Sequence, residues 1–171
     1  MANGKRGTAK AMRARDAAGS APPPSMGEIG LNQFAPYLLN RISARWNSDM
    51  DDALEAQNMT TTQMRILAVL AVNSGLTVNE LSVFTVTEQS TMSRTLDALE
   101  EQGLIRRQPR TDDMRVREIH ILDKGRAAFE RIWPTVYARF AHMFEGVPPE
   151  EYQAFVATLH KMLRNIRKHE I

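Results

Sequence analysis

From Leu31 onward, apolar side chains recur at helical spacing. Phe34, Leu38, Ile42 and Met50 fall on one face, Trp46 adds a large apolar body, and Ala53 and Leu54 close the stripe. The pattern predicts a helix long for one globular element, part of it expected to pack on another subunit. A second helix is predicted to start at Met59-Thr60, with Thr60 as its N-cap. Met64, Leu67, Val69 and Leu70 point to the core, and Asn73-Ser74-Gly75 ends it. Thr77-x-x-Glu80 is a capping box opening a short third helix, with Leu81 and Phe84 facing inward and Thr85-Val86 making the turn. Thr87 is expected to cap the fourth helix, which runs to about Gln102. At 100° per residue, Met92, Leu96 and Leu99 share a narrow arc, and Ser90, Arg94, Asp97 and Glu101 lie opposite, flanked by Thr91 and Ser93. Gly103 ends it.

The period then changes. Leu104–Pro109 reads as a strand, 110–114 as a turn and Arg115–Ile121 as the returning strand, with Ile119 and Ile121 alternating against Glu118 and His120. Asp123 is expected to cap a fifth helix with Phe129, Ile132, Trp133, Val136, Phe140 and Phe144 on its apolar face, Pro134 to kink or open it, and Gly146 to end it. Pro148-Pro149-Glu150-Glu151 opens a sixth helix striped by Tyr152, Phe155, Val156, Leu159, Met162, Leu163 and Ile166. Lys161, Arg164, Arg167 and Lys168 favour its C-terminal end.

Composition sharpens this outline. The 171 residues suit one domain plus a tail, and 43% hydrophobic with 25% charged residues is the balance of a soluble protein. No apolar run approaches a membrane span, and no secretory signal is expected. Absence of cysteine excludes disulfides, thiolate metal sites and a cysteine nucleophile, and it fits a cytoplasmic location. Residues 1–25 carry five basic side chains against Asp16, a net +4, which leaves the rest of the +2 chain at −2. Residues 1–26 read as a disordered basic tail, either a solubilising leader or a source of extra phosphate contacts. A slightly acidic body with a basic patch implies local anion binding rather than a basic coat.

Two helices joined by a tight turn and followed by a β-hairpin form a winged helix-turn-helix. The N-terminal turns of its second helix would enter the DNA major groove, and the hairpin tip would reach the backbone or the adjacent minor groove. Thr87, Gln89, Ser90, Thr91, Ser93 and Arg94 are the candidate major-groove residues. Arg106, Arg107, Arg110, Arg115 and Arg117, with Asp113, are the candidate wing residues; the five arginines against Asp112 and Asp113 leave +3. Asp97 and Glu101 would repel phosphates if the whole helix lay in the groove. Arg94 alone could equally be a surface arginine paired with Asp97 or Asp113, and the arginines could protect a sheet edge. Both features in order and at this spacing favour double-stranded DNA. No nucleophile triad, P-loop or dinucleotide motif is present, and the four histidines lack zinc-motif spacing, so neither an enzyme, a cofactor nor a metal is expected. The competing class is a winged-helix protein-interaction module without DNA binding, which would place apolar residues where Ser90, Arg94 and Asp97 stand.

From about Leu31 to Arg167 the chain resembles the MarR-type (multiple-antibiotic-resistance regulator) transcription factors. The resemblance rests on Met59-Thr60-x-x-Gln63-x-x-x-Leu67, Leu76-Thr77-x-x-Glu80-Leu81, the stretch from Gln89 to Arg107, and Asp113-x-Arg115 ahead of Lys124-Gly125. It implies a mainly α fold with a small β-hairpin wing: a winged helix-turn-helix lobe at 58–122 and a helical dimerisation half at 30–57 and 123–169, within a single domain spanning 27–171. It further implies a homodimer on a pseudo-palindromic operator, a repressor rather than an activator, and release by a small aromatic or anionic effector. Arg115 would reach the minor groove, oriented by Asp113. Candidate effector contacts are Phe34, Trp46, Met64 and Arg65. The chain departs from the family in two places. Many relatives have Gly in the turn where this chain has Thr85, and a β-branched residue resists positive φ, so a differently built turn is expected. Many read Leu-Thr where this chain has Leu122-Asp123, and Asp is expected to take over the cap.

Overall fold

Side-chain hydroxyls, paired with carboxylates or an amide, form capping boxes at three helix starts in the computed structural model, which describes residues 23–166. The predicted tail lies outside the described residues up to position 22, as do Arg167 and Lys168. Packing divides the chain into two units, residues 1–48 and 49–171. In the first, Ser25 and Glu28 form a capping box on the one-turn helix α1 (Met26–Ile29). A 3-10 turn (Leu31–Gln33) ends at Phe34, and α2 (Ala35–Glu55) follows. The helix therefore begins after Phe34, not at Leu31. Leu38 and Ile42 on its predicted apolar face stay exposed.

α2 continues into the second unit, where Met50 and Leu54 are buried. Thr61 Oγ1 donates to Asp51 Oδ1 at 2.5 Å, fastening α2 to the start of α3 (Thr61–Val72). Thr60 caps α3 as expected, completing a capping box with Gln63. Ile66 joins Met64, Leu67 and Leu70 as a buried residue, and Val69 is only partly buried.

β1 (Leu76–Thr77), too short to show any period in the sequence, leads into α4 (Val78–Thr85), then α5 (Gln89–Glu101), β2 (Ile105–Pro109) and β3 (Arg117–Ile121). The sheet is antiparallel in the order β1-β3-β2, so the wing has a third strand where a two-stranded hairpin was predicted. Leu76 pairs with Ile119, Arg107 with Ile119 and Pro109 with Arg117.

One core serves helices and sheet together. Ile66, Leu67 and Leu70 of α3, Leu81 of α4 and Met92, Leu96 and Leu99 of α5 pack with Leu104, Ile105 and Ile119. Phe84, predicted to face inward, is exposed; the inward position near the end of α4 belongs to Thr85.

Helix α6 (Asp123–Met143) runs through Pro134 as one element, and α7 (Pro149–Ile166) follows. Leu122, not Asp123, is the N-cap of α6 and makes no side-chain cap. Asp123 instead lies in the first turn, where its charge complements the helix dipole. The Lys124-Gly125 pair acts through packing. Lys124 Nζ donates to Gln102 O at 2.6 Å, at the C-terminal end of α5. Gly125 lets α6 approach β2 so closely that an added Cβ would lie 2.1 Å from Leu104 O. Ala128, one turn on, reaches the core.

Beyond that turn, α6 and α7 carry a row of rings. Phe129, Trp133, Tyr137, Phe140 and Phe144 follow one another with centroids 5.2–6.0 Å apart, and Tyr152 stands edge-on to Phe144 at 4.8 Å. Yet α7 has no buried residue. Leu163 and Ile166 of its predicted core stripe are 57% and 74% exposed.

Candidate nucleic-acid interface

The turn between α4 and α5 sets the aim of α5. Thr85 is buried, and its hydroxyl donates to Leu81 O at 2.7 Å, which keeps position 85 helical. The left-handed position falls one residue later, at Val86, with φ 52° and ψ 49°. The Val86 and Thr87 N–H groups donate to Val83 O and Ser82 O, a Schellman ending with valine in the seat glycine usually takes. The turn is thus built differently, as expected from a β-branched Thr85, with the left-handed residue at Val86. Thr87 does not cap α5. Glu88 is the N-cap, without a side-chain bond, and the Thr87 hydroxyl turns back toward Thr85. Gly103, with φ +68°, closes α5 in a second Schellman ending, Leu104 N donating to Leu99 O.

The buried face of α5 is Met92, Leu96 and Leu99, as predicted. Gln89, Ser90, Thr91, Ser93 and Arg94 are exposed, and Thr87 is half-buried beside them. Arg94 pairs with neither Asp97 nor Asp113; its Nε donates to Ser90 O at 3.3 Å, leaving the rest of the guanidinium available. The Gln89 amide is held across the turn: its Nε2 donates to Asn79 Oδ1 on α4 at 2.7 Å.

The wing sorts its arginines by strand alternation. Arg106 faces solvent. Arg107, the next residue, faces α5, where its guanidinium pairs with Asp97 and Glu100, both at 2.7 Å. Its backbone N–H also donates to Glu100 Oε1 at 2.8 Å. Arg110 Nε lies 2.9 Å from Asp112 Oδ1 and 3.7 Å from Glu118 Oε1, but its N–H points at neither closely enough for a hydrogen bond. Arg117 is exposed at the start of β3. At the tip, Arg115 is 93% exposed, and both its N–H and its Nε donate to Asp113 Oδ1, at 3.0 and 3.3 Å.

Glu80 closes the cap at the start of α4. The Thr77 backbone N–H and hydroxyl donate to its carboxylate at 2.7 and 2.8 Å. These bonds, the backbone one first, hold its pKa below the ordinary 4.5, and the nearby positive charge of Arg110 adds to them. The four effector candidates divide between the units. Phe34 and Trp46 are half-buried in the first; in the second, Met64 is buried and Arg65 half-buried.

Residues 57–115 match the sequence model of the MarR family. A MarR-family transcriptional regulator from Silicibacter pomeroyi, known from its crystal structure, is 44% identical over 86% of this chain and 100% of that one, with a TM-score of 0.81. The chain belongs to the MarR family. Another relative by sequence is the HTH-type transcriptional repressor IacR of Pseudomonas putida, 25% identical over 84% of this chain and 86% of IacR. S. aureus MepR, solved as a complex with DNA, is 26% identical, with a TM-score of 0.66, over 77% of this chain and 97% of that one. The MarR winged helix accounts for the element order from α3 to β3, and the Silicibacter pomeroyi protein and IacR are regulators of transcription. Among the described residues of this MarR-family chain, no helix is long and apolar enough to cross a membrane.

The sequence does not single out Asn79. Its partner lies ten residues away on another helix, and no local spacing signals such a contact. The Asp97–Arg107 pair was equally hidden, because Asp97 read as a charge that opposes DNA.

Proposed function

We propose that this MarR-family regulator is a cytoplasmic homodimer that binds a pseudo-palindromic DNA operator as a repressor. The observation that carries the reading is the pairing of two exposed arginines with a polar, short-chained helix face. Arg94 has no carboxylate partner, and Arg115 is almost fully exposed with Asp113 holding its base. Ser90, Thr91, Ser93 and Arg94, with Gln89 and Thr87, would meet base edges, Arg94 suiting the O6 and N7 of guanine. Arg115, with Arg106, Arg110 and Arg117 along the strands, would follow the phosphates and the minor groove. Arg107 is reassigned: with its guanidinium held by two carboxylates, it braces the wing against α5 and neutralises the acidic end of the helix. That neutralisation answers the objection raised by Asp97. The MepR–DNA complex supports the same use of the fold.

The dimer is supported by the apolar surface that α6 and α7 leave open, where Trp133, Tyr137, Leu163 and Ile166 are exposed. Burying such a stripe against a second copy is the ordinary solution for a patch of this kind. Two reading lobes would then meet half-sites roughly 34 Å apart. The IacR likeness favours repression. Release by a small aromatic or anionic ligand rests on the family resemblance and on the chemistry of Phe34, Trp46, Met64 and Arg65. Such a ligand would act by favouring a form unable to span both half-sites.

The test is a binding titration of the full chain on the DNA upstream of its own gene, with sedimentation equilibrium on the same sample and a panel of small aromatic acids added. Saturable binding by a dimer, weakened by at least one acid, is expected. A monomer with equal affinity for any duplex would overturn the proposal.

A further inference from the structure

The Gln89–Asn79 contact joins the first residue of α5 to the second residue of α4, and both side chains are exposed. They lie on the rim of a groove between the two helices, with Ser82, Val83 and Thr87 among its walls. A hydrogen bond between two exposed amides adds little net stability, because water serves either partner as well. It does cost the glutamine its rotamer freedom. What it sets is direction: in this structure a long side chain at the leading turn of the proposed recognition helix is aimed by a partner on the neighbouring helix.

The chemistry left over is specific. A glutamine amide has two N–H donors and one carbonyl oxygen. Asn79 Oδ1 takes one donor. One Nε2–H and the Oε1 lone pairs remain, a donor beside an acceptor. In the major groove that couple matches adenine, whose N7 accepts and whose N6 amino group donates. Guanine offers two acceptors there and cytosine only a donor, so neither satisfies both atoms of Gln89.

The geometry points to Gln89 as an adenine-reading residue and to Asn79 as the residue that positions it. This rests on the proposed DNA-binding face and adds one base identity per half-site. Asn79 acts through Gln89 and is a positioning residue.

The test uses the full-length chain and a pool of random duplexes, followed by binding measurements on the enriched sequence. The wild-type protein is expected to select adenine at one fixed position in each half-site. Replacing that adenine with 7-deazaadenine, which lacks the N7 acceptor, should weaken binding about 5- to 100-fold. Gln89→Ala should bind both duplexes equally. Asn79→Ala should lose most of the discrimination although Gln89 is intact. Asn79→Asp can still accept from Gln89 Nε2 and should keep the ratio between the two duplexes, while its added charge lowers affinity for both. The inference is overturned if Gln89→Ala selects the same sequence as the wild type, or if Asn79→Ala leaves the ratio unchanged. Failure of the wild type to enrich any sequence would instead overturn the DNA-binding reading beneath it.

Discussion

Arg107 of β2 reaches back to Asp97 of α5 at 2.7 Å and holds Glu100, one helical turn on, at the same distance. A strand of the wing is thereby tied to the helix that the wing flanks. On the proposed DNA-binding reading, repulsion between Asp97 and phosphates would be offset inside the protein.

Replacing Arg107 separates bracing from phosphate binding. The three side chains are partly exposed, so Arg107→Ala should cost no more than about 1 kcal/mol of folding stability. Operator affinity should nevertheless fall, because two carboxylates are released beside the reading face. Affinity plotted against salt should keep the wild-type slope, since no phosphate contact is lost. A shallower slope would mean that Arg107 touches phosphate.

Val86 holds a left-handed backbone with its side chain 87% exposed. Val86→Gly gives up almost no burial and removes a strain of about 1–2 kcal/mol, partly offset by the entropy glycine loses on folding. Urea unfolding should show a variant more stable by roughly 0.5–1 kcal/mol. A destabilised variant would show that valine contributes something at this turn that its exposure conceals.

Gly125 is required by close approach rather than by its backbone angles. A methyl group there would meet Leu104 O at 2.1 Å and Ile121 Cγ1 at 3.0 Å. Gly125→Ala should push α6 away from β2 and lower stability by about 1–3 kcal/mol, seen as an earlier urea midpoint. An unchanged midpoint would mean that the two elements separate at little cost.

The cap at Thr77 makes the start of α4 sensitive to acid. Glu80 has a folded-state pKa below its ordinary value, chiefly through the Thr77 backbone N–H. Its contribution is therefore complete above the ordinary range and disappears as pH falls through the depressed value. Glu80→Gln keeps an acceptor for Thr77 but cannot ionise, so its stability should change less with pH below about 4.5. Superimposable acid-unfolding curves for variant and wild type would contradict this.

Local chemistry was legible in the sequence, and contacts between elements were not. The Thr60 cap and the Thr77/Glu80 box act over three residues, and the Met92, Leu96 and Leu99 face follows from helical period alone. Phe84 read as core because its apolarity and spacing say nothing of the turn that follows, where buried Thr85 takes the inward place. β1 has two residues and therefore no period. That Thr85 resists positive φ, and so the turn is built differently, was legible; that the left-handed residue is Val86 was not, because Thr85 stays helical with its hydroxyl on Leu81 O. The Lys124-Gly125 pair stood out as a motif, but its reasons, the Gln102 carbonyl and the Leu104 backbone, lie some twenty residues upstream.

On the proposed reading, helix α5 and the wing meet DNA together, through Arg94 on one and Arg115 on the other. The most direct test of that reading is the affinity of the wild type, Arg94→Ala and Arg115→Ala for one operator duplex across a series of salt concentrations. Both variants should bind about tenfold or more weakly, and Arg115→Ala should also reduce the salt slope by about 0.9 if it neutralises one phosphate. Wild-type affinity and slope in both variants would contradict the account.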